Sequence, residues 1–136
     1  MTPRYLVDTN VLLRFLMGEP APQAAAARKL FTRAAKGDVV LDVSPVIVAE
    51  TFYTLTSFYG VDRKAAAGKL ALLLRQHGVR VREEAQVLLA LGLLQTANVG
   101  FADAYLAAGA ETEKVAVASF DKDFEKLKVD RFEPSA

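Results

Sequence analysis

Apolar and polar positions change period along this chain in a regular order. RYLVD is a short β-rich run, and TNVLLRFLM continues it with apolar residues at helical spacing up to a break at GEPAP. PAPQAAAARKLFTRAAKG is built from good helix formers and ends at Gly37, after which DVVLDV reads as a second strand. Ser44 and Pro45 supply the cap and first-turn proline of a helix that runs to about Gly60. Asp62 caps a further helix through about Gln76, and VRVR follows as a short strand. EEAQVLLALGLLQTA is another helix, with two acids in its first turn where the macrodipole favours them. FADAYLAAGAE makes one more short helix, VAVAS is a buried-strand candidate, DKDFEKL a last helical turn or two, and VDRFEP a terminal edge segment.

Strands alternating with helices predict an α/β fold, a mostly parallel central sheet flanked by helices on both faces. Folds of this kind place ligands beyond the carboxyl ends of their strands. Asp8 and Asp121 each fall one to three residues past a predicted strand.

The chain has 136 residues, 52% hydrophobic and 24% charged, which predicts one compact domain over residues 1–136. Seventeen Lys and Arg against sixteen Asp and Glu leave a net charge of +1, so any binding surface must come from local segregation of charge. There is no cysteine and a single histidine, His77, which excludes disulfides, thiolate zinc sites and Cys/His or Ser/His nucleophilic pairs that need a second histidine. His77 itself stands just before Gly78, where a glycine-capped helix end accounts for it. The apolar run Val87 to Leu94 is too short to cross a bilayer and the start lacks the regions of a signal peptide, so the chain reads as cytoplasmic and free of the membrane.

Chemistry must therefore run on carboxylates, and several stand alone. Tyr5 to Leu13 holds no charge but Asp8, Val43 to Val61 none but Glu50, and Gln86 to Ala110 none but Asp103. A carboxylate taken out of water costs several kcal/mol unless it is paired, well hydrogen-bonded or bound to a metal. Each has a structural alternative: Asp103 as an early-turn acid facing a helix dipole, Asp121 as a helix cap, Asp8 as a partner of the turn into TNVLL. Glu50 lies mid-helix, beyond the N-terminal dipole. If these acids converge at the strand ends, they form a hard-oxygen site suited to Mg²⁺ or Mn²⁺ and poorly suited to zinc.

VDTNVLLRFL, the lone Glu50, FADAYLAA and ASFDKDFEKL, taken in order, resemble the PIN-domain ribonucleases, and most closely the VapC-type toxins of toxin–antitoxin pairs. The resemblance covers nearly the whole chain. It implies a PIN-like three-layer sandwich and places the family's acidic quartet on Asp8, Glu50, Asp103 and Asp121, with Asp123 as an auxiliary acid and Asn10 and Ser119 as orienting polar residues. It also implies a divalent-metal-dependent endoribonuclease, dimerisation, and inhibition by a small cognate VapB-type antitoxin. On that reading Asp8, Asp103 and Asp121 would bind the ion, while Glu50 would help hold it and orient or deprotonate the attacking water.

RNA approaching an acidic pocket needs cations outside it, and Arg28, Lys29, Arg33, Lys36, Arg63, Lys64, Lys69, Arg75, Arg80 and Arg82 are candidates. Phe52, Tyr53, Phe58 and Tyr59 have helical spacing that suits core or dimer packing better than base stacking. LLRFLMG is either core or an apolar surface for a partner helix. Three other readings compete. A Mg²⁺-binding phosphoacceptor signalling module needs an acidic pair after the first strand, where this chain has one Asp. A D-x-D-x-T phosphatase needs an acid where Asn10 stands. A non-catalytic RNA-binding PIN protein would keep the scaffold without turnover.

Overall fold

The computed structural model describes residues 1–135. Twelve elements run in the order β1 (Arg4–Leu6), α1 (Thr9–Met17), α2 (Ala21–Ala35), β2 (Val40–Val43), α3 (Pro45–Ser57), α4 (Arg63–Leu74), β3 (Val79–Val81), α5 (Glu84–Leu94), α6 (Phe101–Glu113), β4 (Val117–Ala118), α7 (Asp123–Lys126) and β5 (Arg131–Phe132). Local signals in the chain explain most of these boundaries. Ser44 Oγ accepts from the Ile47 N–H at 3.4 Å and Asp62 Oδ2 from the Ala65 N–H at 3.2 Å, satisfying backbone donors that open α3 and α4. Gly18 closes α1 in the left-handed conformation, its N–H donating to the Arg14 carbonyl.

The strands form two parallel sheets. β1, β2 and β3 lie side by side in that order, with helices flanking them, and β4 pairs with β5 separately. In the larger sheet Leu6 stands opposite Asp42 and Asp42 opposite Arg80. Side chains alternate along a strand, so Leu41, Val43, Val79 and Val81 face the helices while Asp42 and Arg80 face the other way. α2 packs against β2, and α4 and α5 against β3.

Most of the core lies on that apolar face, with Leu12, Leu41, Val43, Val48, Leu55, Leu70 and Leu91 almost wholly removed from water. Each contributes about 1.5–3 kcal/mol relative to exposure. Thr51 is buried among them because its hydroxyl donates back to the Ile47 carbonyl at 2.7 Å. The closest helix pair is α5 with α6, where the Gln86 amide donates to the Tyr105 carbonyl at 2.9 Å across the space left by the absent side chain of Gly109. A second, smaller cluster of Ala107, Ala110, Val117, Phe124 and Leu127 fixes β4 and α7 on the later turns of α6.

Among the described residues β1, β3, β4 and β5 each have one edge without a partner. β1 pairs only with β2 and is exposed at all three residues, Leu6 at 75%. β4 pairs only with β5, and the expectation of a fully buried VAVAS strand is met by Val117 alone, since Val115, Ala116 and Ala118 are exposed. The pattern of a covered strand is present in the sequence, but its flanking neighbour is not β1.

Candidate active site

Asp8 stands two residues past β1, in extended conformation at the start of α1. Its side chain makes no capping hydrogen bond, so helix capping does not account for its place. It lines a hollow of about 360 Å³ with Leu6, Val7, Asp42, Ser44, Ile47 and Arg82. Asn10, in the first turn of α1, lines a different hollow, with Arg14 and Gln23 between α1 and α2.

Asp103 occupies the first turn of α6 and is half-buried. Its carboxyl is held above the ordinary aspartate range, first by burial and then by the negative charges of Asp121 and Asp123. The small cluster that seats α7 on α6 brings these three acids into electrostatic reach. Asp121 has a local structural role as well: its N–H donates to Ser119 Oγ at 2.9 Å, and its Oδ1 accepts from the Asp123 N–H at 2.8 Å, which turns the chain into α7. Asp123 forms an ion pair with Lys126 at 3.3 Å on the surface.

Glu50 projects from the exposed face of α3 that also carries Val46 and Tyr53. Its neighbours in sequence are apolar, yet its neighbours in space include water, because Val48, Thr51, Phe52 and Leu55 turn inward and Glu50 does not. Asp8 and Asp121 are exposed too, so the desolvation expected of isolated acids is found at Asp103 alone.

The structure thus groups Asp103 with Asp121 and Asp123, sets Asp8 in a separate hollow, and leaves Glu50 on α3. Among the described residues, no three acidic or imidazole side chains stand close enough to share one metal ion. By chemistry Asp103, Asp121 and Asp123 are oxygen donors of the kind a hard divalent cation takes, but in this arrangement they do not converge on one ion.

Two residues beside Asp8 extend the site. Asp42 is buried in β2 and pairs with Arg4 at 3.3 Å, and Arg82 lines the same hollow as Asp8. Arg82 is one of the candidate cations of the sequence, whereas Asp42 is not one of its candidate acids. Its signal is an acid inside the otherwise apolar alternation of VVLDV.

No helix among the described residues is long and apolar enough to span a membrane. The family model described as PIN domain matches residues 5–130. No curated protein matches the chain.

Proposed function

The chain belongs to the PIN domain family, whose members are generally nucleases, and from that premise we propose that it is a divalent-metal-dependent endoribonuclease of the VapC toxin type. The observation that supports this most is the placing of Asp103 within electrostatic reach of Asp121 and Asp123, its carboxyl being raised first by burial and then by those two charges. Acids placed where they repel one another have a use for a cation.

Asp103 and Asp121 would hold Mg²⁺ or Mn²⁺, with Asp8 and the auxiliary Asp123 completing the oxygen donors. When bound, the ion supplies Lewis acidity toward a phosphodiester and acidifies water. The protein's own contribution is positional. Ser119 fixes the Asp121 backbone through its hydroxyl, and the α6 turn presents Asp103 at a helix N-terminus. Glu50, carried on α3, would help hold the ion and orient or deprotonate the water. The toxin reading adds a homodimer, a cytoplasmic setting and neutralisation by a VapB-type antitoxin.

The test is to incubate purified protein with total RNA, with and without Mg²⁺ or Mn²⁺ and with chelator, and to map new ends. Cleavage that requires the ion and is lost in Asp8→Asn and Asp103→Asn is expected. One observation favours a second reading, a non-catalytic RNA-binding PIN protein: no three acids share a metal-sized space among the described residues. RNA that is bound but left intact in every metal would establish that reading instead.

A further inference from the structure

The β1-β2-β3 sheet turns a polar face away from its apolar core. In register across it lie Leu6, Asp42 and Arg80, and just past the strand ends Asp8, Ser44 and Arg82 line one hollow. Two hollows occupy this face. One, of about 360 Å³, contains Asp8, Ser44 and Arg82; the other, of about 420 Å³, contains Arg4, Arg80 and Arg82 with Glu84 at its rim. Both are lined by Asp42 and Arg82, so they form one continuous trough ending at Asp8.

The charges along the trough are not equivalent. Arg4 is neutralised by Asp42, and this pairing keeps the one buried acid of the face from acting as a free negative charge. Among the described residues Arg80 and Arg82 form no ion pair, although both are exposed and acids line the same trough. Arg80 is on β3 and Arg82 in the turn directly after it, and both line the same hollow. Parallel sheets are normally covered on both faces, so an open face carrying two unpaired guanidinium groups is built to receive something anionic.

We infer that Arg80 and Arg82 are the phosphate-contacting residues of this protein, holding the backbone of a single RNA strand along the open face of the sheet and delivering it to Asp8. This rests on the ribonuclease reading for the identity of the strand. It selects two of the ten cations that sequence alone leaves equivalent. Arg82, lining the same hollow as Asp8, is a positioning residue for the phosphate nearest Asp8, and Arg80 engages a phosphate further along.

The experiment separates this from the nuclease reading by measuring binding without turnover. Anisotropy of a labelled mixed-sequence oligoribonucleotide is followed in chelator across a range of NaCl. The R80Q/R82Q variant is expected to bind more weakly and to show a log K against log salt slope shallower by about 1.4, since each single-strand phosphate contact contributes about 0.7. R80K/R82K keeps the charges and should restore the slope, and Arg33→Gln on α2 should leave it unchanged. Where the double variant fails to fold by circular dichroism, Arg82→Gln alone should lower the slope by about 0.7. An unchanged slope, or no RNA binding by the wild type in chelator, overturns the inference. So does a change in gel-filtration volume with unaltered RNA binding, which would make the face a protein interface. Metal-dependent cleavage by the wild type is scored separately and stands or falls on its own.

Discussion

Arg4 on β1 and Asp42 on β2 form an ion pair of 3.3 Å in which the arginine side chain is 55% exposed and the aspartate 8%. The exposed member serves the buried one. Arg4→Ala should therefore strand a carboxylate away from water and destabilise the protein by about 1–2 kcal/mol. R4A/D42V removes both charges and should regain most of that loss, because a buried pair is often replaceable by apolar side chains. Urea unfolding of the two variants and the wild type measures the difference.

Asp103 gives a separation of stability from activity. Burial and the two nearby acids disfavour its charged form, so in metal-free buffer Asp103→Asn should leave the melting temperature unchanged or slightly raised. Cleavage by the same variant should fall on the order of 100-fold or more if the carboxylate holds the ion. Scanning calorimetry in chelator and an initial-rate assay with Mn²⁺ provide the two readings.

Gly78, before β3, combines a φ of +86° with a Cβ direction that runs into the backbone of Ala34. Gly37 has φ +84° and open space in the same direction. Gly37→Ala should cost about 1 kcal/mol through the backbone alone, and Gly78→Ala distinctly more, about 2–3 kcal/mol, since α2 must also move away from the sheet. Chemical denaturation of the pair should preserve that order.

Tyr105 carries a pH effect that does not depend on catalysis. Burial, and then the neighbouring Glu83, push its hydroxyl up to about 12 from an ordinary 10.0. The unfolded chain releases the proton first as pH rises, so the stability linked to this group is complete below pH 10 and is lost between there and about pH 12. Tyr105→Phe should lose less stability across that window than the wild type. The difference between the two should be flat at lower pH, as read by circular dichroism melts.

Elements whose ends are set by nearby residues were legible from the chain. Ser44, Asp62 and Gly18 mark helix ends by chemistry confined to a few positions, and the structure places the helices accordingly. Strand partnership was not legible in that way. Nothing local in VAVAS says whether its neighbour is β1 or β5, because pairing is decided by how α5 and α6 carry the chain between them. The candidate acids show the same division. Their identity follows from short motifs, but isolation along the chain does not make an acid buried, because sequence neighbours are not spatial ones. On α3 the residues beside Glu50 point inward while Glu50 points out. Asp42 escaped notice for the converse reason, being masked by an apolar strand whose other face it occupies.

The free border of β1 has a bearing on how the protein behaves when concentrated. A strand with one side unbonded offers its amides and carbonyls to any other extended chain, and Tyr5 and Leu6 add oily surface beside them. Its three-residue length and the arginine at its head are the protections against such zippering. Lengthening that segment, or replacing Arg4 by a β-branched apolar residue, would make the domain prone to stack.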